Sequence, residues 1–152
     1  MDKQVVRLHA VLQVLVDADN VSARRLQPVL ALLDTVTDRV RLTASGRPKT
    51  LTALQWPGDT RLLPHTGWQR ADVALAEAYS PGDEPLILVT GDGDFGLLAA
   101  RHSGAVLVVS GAPSSRLRDS ATVVDPATEG VEPIRAWLSA NGISGAGWPT
   151  SG

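Results

Sequence analysis

The sequence predicts an α/β fold with a mainly parallel central sheet. Short apolar runs at 11–16, 86–90 and 105–110 have the length and the Val/Leu richness of strands buried on both faces. Segments between such runs carry helical spacing instead, as in Leu26, Val29, Leu30 and Leu33. Strands that alternate with helices along the chain imply parallel pairing through right-handed crossovers. A third observation concerns where acids fall: Asp17 ends the first apolar run, and Asp92 and Asp94 follow the run 86–89.

Taken in order, residues 1–10 fit either a short helix or an extended lead-in. The first strand is 11–16. Ser22 is placed to cap a helix, and Pro28 within it predicts a kink or a late start. Residues 39–43 read as the second strand and 47–55 as a loop or short helix, broken at Trp56-Pro57-Gly58. A third strand covers 60–64. Residues 69–79 form a helix with Ala71, Ala74, Leu75 and Ala78 on one face. The turn Ser80-Pro81-Gly82-Asp83-Glu84-Pro85 leads to the fourth strand, 86–90. A helix over 94–103 is closed by Gly104 as its C′ residue. The fifth strand is 105–110, a helical turn follows at 114–119, an edge strand at 121–124 and a last helix at 132–140. One domain therefore spans 1–140. Residues 141–152, rich in Gly and Ser, read as a flexible tail.

With 152 residues, 43% hydrophobic and 20% charged, the chain suits a single globular domain and neither disorder nor a fibre. The absence of Cys excludes disulfides and thiolate zinc sites. No segment has the length of a membrane span, and the N-terminus lacks a signal-peptide pattern, so the expected location is the cytoplasm. Net charge is −2. If Asp17, Asp72, Asp92 and Asp94 share one cation-filled pocket, the rest of the chain carries 14 basic against 12 acidic groups. Twelve of the 14 basic residues are Arg, the side chain that pairs bidentately with phosphate.

In a parallel sheet, ligands sit beyond the carboxyl ends of the strands. Asp17 and Asp92 fall there. Asp72, early in the helix after the third strand, reaches the same edge. Grouped carboxylates raise one another's pKa unless a cation holds them, and oxygen-only ligands suit Mg²⁺ or Mn²⁺. Each acid also has a simpler reading: Asp19 and Asn20 as turn formers, Asp72 as a first-turn acid on a helix dipole, and Asp92 or Asp94 as a helix cap. The G-x-G-x-x-G of residues 91–96 follows a strand and opens a helix, yet Asp92 and Asp94 would set negative charge against a pyrophosphate. A dinucleotide site is rejected on that ground. His9, His65 and His102 have no zinc-site spacing, and His102 reads as structural. Arg24, Arg25, Arg70 and Arg116 are the candidates to hold a phosphate backbone, and Trp68 could stack a base.

Three motifs in order, Val14-Leu15-Val16-Asp17-Ala18-Asp19-Asn20, Ala71-Asp72-Val73-Ala74-Leu75 and Thr90-Gly91-Asp92-Gly93-Asp94-Phe95, resemble the NYN family of PIN-like nucleases over residues 11–125. The resemblance implies a Rossmann-like three-layer α/β sandwich and Mg²⁺- or Mn²⁺-dependent ribonuclease chemistry. It makes Asp17, Asp72 and Asp92 the core acids, with Asp94 and Asn20 as supporting positions; the expected catalytic and metal-binding set is Asp17, Asp72, Asp92 and Asp94, supported by Asp19, Asn20 and Thr90. The partners expected are RNA, with DNA left open, and a second copy or another protein, but no membrane. Two rivals stand beside this reading. One is a catalytically degenerate RNA- or protein-binding module on the same fold. The other is a phosphohydrolase of the haloacid dehalogenase type, suggested by Asp17-x-Asp19. That chemistry wants a downstream Lys, and neither Lys3 nor Lys49 is placed for it.

Overall fold

The computed structural model describes residues 10–65 and 71–149, and for Ala71 and Asp72 the backbone alone. Six strands form one parallel sheet: β1 (Val11–Asp17), β2 (Arg39–Gly46), β3 (Arg61–Pro64), β4 (Leu86–Val89), β5 (Val106–Val109) and β6 (Thr122–Val124). Their spatial order is β3-β2-β1-β4-β5-β6. The order reverses direction between β1 and β4, which makes that pair the topological switch point of a Rossmann-like sheet.

Alternation along the strands divides the core into two layers. Leu12, Val14, Val16, Ile87, Val89, Leu107 and Val109 face one side. There they meet helix α1 (Ala23–Leu33) through Leu26, Val29, Leu30 and Leu33, and helix α7 (Glu132–Ala140) through Ile134 and Leu138. Leu15, Leu86, Leu88, Val106 and Val108 face the other side. They are covered by α3 (Ala71–Ala78), α4 (Gly96–Arg101) and α5 (Ser115–Ser120) through Leu75, Ala99 and Leu117. Each fully buried Leu or Val of this kind contributes about 1.5–3 kcal/mol. The fold is the three-layer α/β sandwich expected from the sequence. Among the described residues, no helix is long and apolar enough to cross a membrane.

Several local expectations change. Helix α1 starts at Ala23, with the Ser22 hydroxyl accepting from the Arg25 N–H, and it runs through Pro28. Pro28 is exposed, so the carbonyl that loses its donor lies on the wet face of the helix. The segment 47–55 holds a short helix, α2 (Pro48–Thr52). Helix α4 ends at Arg101, two residues before expected, and Gly104 does not take the left-handed conformation of a C′ glycine. A Cβ at Gly104 would collide with the backbone carbonyls of Asp83 and Glu84, so close approach is what requires glycine there. An unexpected helix, α6 (Pro126–Glu129), is capped by the Asp125 carboxylate. His102 is structural, as expected. Its Nε2 lies 2.7 Å from the Glu84 carbonyl and its Nδ1 2.6 Å from the Tyr79 hydroxyl. A carbonyl can only accept, so the tautomer with its proton on Nε2 satisfies both contacts.

The reading of residues from 141 onward as a loose tail does not hold for 141–149. Ile143 is buried with α1 and α7, and Trp148 packs against the same cluster. Gly145 forms an antiparallel bridge with Val36, and the Trp148 indole N–H donates to the Thr35 hydroxyl at 2.9 Å. The Ser144 N–H donates to the Asp38 carboxylate at 2.7 Å. Isolated contacts, each made by one residue of a non-periodic stretch, hold the segment, and periodicity cannot reveal those.

Candidate functional site

Asp17 ends β1 and is 5% exposed. Its Oδ2 accepts hydrogen bonds from the Asn20 amide at 3.2 Å and from the Thr90 hydroxyl at 3.1 Å. The Thr90 hydroxyl in turn accepts from the Asp92 N–H at 3.1 Å. This relay spans the switch point, joining the end of β1 to the loop after β4. Burial pushes the Asp17 carboxyl above its usual range, and the charges of Asp92 and Asp19 push the same way. The two hydrogen bonds oppose this without outweighing it. Among the described residues, no Lys or Arg pairs with Asp17.

Asp92 is half-buried and opens the 3₁₀ turn Gly93–Phe95. Its Oδ1 accepts from the Asp94 N–H at 2.9 Å, so of the two acids it is Asp92 that caps. Asp94 is exposed within that turn. The glycines around them serve packing. A Cβ at Gly91 would lie 2.9 Å from the Ala112 carbonyl and from the Ser110 hydroxyl, and one at Gly96 would lie 2.9 Å from the Arg116 Cβ. The loop after β4 is thereby pressed onto the loop after β5.

Asp72 is the second residue of α3, which follows β3 and runs back over β1 and β2. The helix therefore begins at the edge where Asp17 lies. The Asp72 side chain, Arg70 and Trp68 lie outside the described residues.

Asp19 bridges three strand ends. Its Oδ2 accepts from the Arg47 N–H at 3.0 Å and lies 3.3 Å from the His65 Nε2. The latter contact is within ion-pair range but is not aligned as a hydrogen bond, so both ring nitrogens of His65 are buried without a hydrogen-bond partner among the described residues. Ser45 follows the same pattern. It stands in register with Asp17 on the adjacent strand, it is fully buried, and its hydroxyl has no partner among the described residues. Neither Ser45 nor His65 was singled out from the sequence. His65 directly follows the run Leu62-Leu63-Pro64, the same apolar-run-then-polar signal that flagged Asp17.

The four arginines differ. Arg25 Nε donates to Asp125 at 2.9 Å, holding α1 against the start of α6. That hydrogen bond keeps the Asp125 carboxyl below its usual range. Arg24 and Arg116 are exposed. Arg47, also exposed, directly follows the end of β2 and was not singled out.

Among the described residues, no three His, Cys, Asp or Glu side chains converge to hold a metal ion. The donor set around Asp17 nevertheless fits a hard divalent cation. It offers a buried carboxylate without a cationic partner, the Thr90 hydroxyl, the Asn20 amide and, across the relay, Asp92. A further carboxylate would have to come from Asp72 or Asp94. A separate cleft of about 690 Å³ lies at the opposite, amino-terminal ends of β1 and β2, lined by Gln13, Asp38, Arg41 and Thr43 among others. Three of its polar groups are engaged within the fold: Gln13 with the Ser80 backbone, Arg41 with Glu84, and Asp38 with Ser144. The fold favours the carboxyl edge, where ligands of parallel sheets sit.

No protein-family model matches the chain, and no curated protein matches it. The fold is similar to the crystal structure of a protein of unknown function, VPA0982, from Vibrio parahaemolyticus. The TM-score is 0.54 at 21% identity, covering 80% of this chain and 97% of that one. That likeness establishes the fold alone.

Proposed function

We propose that the protein is a metal-dependent ribonuclease that hydrolyses RNA phosphodiester bonds at the carboxyl edge of its sheet. The observation that carries this is Asp17: a buried carboxylate at the switch point, tied through Thr90 to the Asp92 loop, with no cation beside it among the described residues. The order of the acidic motifs, similar to that of the NYN family, supports the same reading. In it, Asp17 and Asp92 hold Mg²⁺ or Mn²⁺, with Asp94 and Asp72 as further acids. The bound cation supplies charge that polarises the phosphate and makes a water more acidic. Asn20 and Thr90 fix the Asp17 carboxylate so that Oδ1 faces the ligand. Asp19 ties the loop after β1 to the ends of β2 and β3. Arg24, Arg70 and Arg116 are the arginines left to meet the RNA backbone; Arg25 would first have to leave Asp125. DNA is the alternative substrate, a second copy or another protein the further partner, and the cytoplasm the expected compartment.

The test is cleavage of labelled RNA and DNA of several sequences with Mn²⁺, Mg²⁺ or EDTA, for wild type and Asp17→Asn. RNA cleavage that needs metal and falls by orders of magnitude in the variant supports the proposal. Cleavage unaffected by EDTA, or none by wild type, overturns it. The use of the Asp92 carboxylate as a cap favours a second reading, a binding module without catalysis. RNA binding without cleavage would select it.

A further inference from the structure

The described residues contain three buried side-chain polar atoms without a hydrogen-bond partner, and all three lie at one corner: Ser45 Oγ and both ring nitrogens of His65. Ser45 shares register, and therefore a sheet face, with Asp17. The next residue on β2, Gly46, accepts the His65 N–H at 2.9 Å, which places His65 one strand further along the same edge. A buried polar group without a partner is costly, so three at one place mark a position that a ligand completes.

The ligand has to hydrogen-bond a hydroxyl and an imidazole nitrogen. Ser45 offers an O–H. His65 is 12% exposed at its side chain, with Nε2 3.3 Å from the Asp19 carboxylate and Nδ1 open to a ligand. Directly after Ser45 and Gly46 come Arg47 and Lys49, both basic and outside the set read from the sequence as phosphate-holding. A hydroxyl, an imidazole and two flanking cations suit a phosphate group. Asp17 and Asp19 would repel a bare anion, which fits a phosphate that arrives with a divalent cation.

We propose that Ser45 and His65 form a phosphate subsite for a nucleotide bound at the Asp17 edge, with Asp19 positioning the His65 ring. The subsite rests on the nucleic-acid reading of this edge and names the side on which the scissile or neighbouring phosphate sits, over the ends of β2 and β3.

The test measures binding, not cleavage, so a failure of ribonuclease activity leaves it intact. AMP, adenosine and inorganic phosphate are titrated with Mg²⁺ into the full chain as wild type, Ser45→Ala and His65→Gln. AMP affinity is expected to fall at least tenfold in each variant, with adenosine weak and unchanged. Inorganic phosphate alone should show the same ranking if the phosphate is the group recognised. Ser45→Ala should melt no lower than wild type without ligand, since it removes a hydroxyl that has no partner among the described residues. In wild type, AMP should shift the ¹⁵N signals of His65, a readout that needs no variant. The proposal is overturned by AMP affinities within twofold of wild type, by an unmoved His65 signal, by wild type that does not bind AMP at millimolar concentration, or by a ligand-free Ser45→Ala protein that melts lower.

Discussion

Replacing Asp17 with Asn removes a buried negative charge and keeps an oxygen for Asn20 and Thr90 to donate to. Burial raises the Asp17 carboxyl above 3.8 in the folded chain. The sign follows from linkage. The folded state holds this proton more tightly than the unfolded state, so metal-free stability falls as pH rises from the unfolded pKa to the raised folded one, and stays lower above it. Every tenfold rise in proton affinity on folding costs about 1.4 kcal/mol at neutral pH. At about 2–4 °C per kcal/mol for a chain of this size, that is about 3–6 °C of melting temperature. A cation that binds only the folded form works in the opposite direction, adding about 2.7 kcal/mol, or roughly 5–11 °C, at a hundredfold excess over Kd. Thermal melts of wild type and Asp17→Asn from pH 4 to 8, in EDTA and in Mn²⁺, read both effects. The variant should melt higher in EDTA at pH 7, the gap should close toward pH 4, and the variant should lose most of the Mn²⁺ response. A variant that melts lower in EDTA at pH 7, or gains from Mn²⁺ as wild type does, refutes the reasoning.

Asp92→Asn should change metal-free stability by only a few tenths of a kcal/mol, because Asn caps as well as Asp, while lowering the Mn²⁺ shift; an unchanged shift in the same melts would make Asp92 a cap alone. Truncation after Gly142 removes Ile143 and Trp148 and should lower the melting temperature by several degrees, since Ile143 alone buries a full apolar side chain; a change of under a degree would mean that the segment is not held. Asp125→Asn keeps the cap of α6 but loses the Arg25 pair. The stability this pair contributes is present above the unfolded carboxylate pKa and lost as pH falls through the lower folded value. The variant should therefore melt below wild type at pH 7 and converge with it in acid, and a gap constant with pH would argue against the pair.

Strand positions were legible because a strand buried on both faces has a compositional signature, and Asp17 because it directly ends such a run. The capping role of Asp92 was one of two readings that sequence could not separate, since a ligand and a cap use the same residue type at the same place. Helix α6 carried a signal that went unread: Asp125 followed by Pro126 is an N-cap with Pro at the first helical position, and the Glu129 carboxylate accepts from the Asp125 N–H at 2.8 Å. Ser45 lies inside a strand and looks like any small polar residue there. Its lack of a partner among the described residues is a property of three-dimensional surroundings, as is the docking of Trp148 on Thr35. Arg25 illustrates the converse. An arginine near a candidate site invites a phosphate role, while its partner Asp125 lies 100 residues away.

The strand order has a consequence for when the site comes into being. Strand β2 meets β1 with partners 28 residues apart, as Val11 and Arg39 are, while β4 meets β1 with partners 73 apart, as Val14 and Ile87 are. Closing the longer loop costs about 0.8 kcal/mol more in chain entropy. The Asp17 carboxylate meets the Thr90 hydroxyl only after β4 has slotted into the middle of the sheet, so every partly opened form that releases β4 also dismantles the pocket. Ligand occupancy would then act as a clasp on the central strand. Backbone amides of β4, far from any ligand atom, should exchange with deuterium more slowly when the carboxyl edge is filled, while those of β6 at the sheet margin should register little.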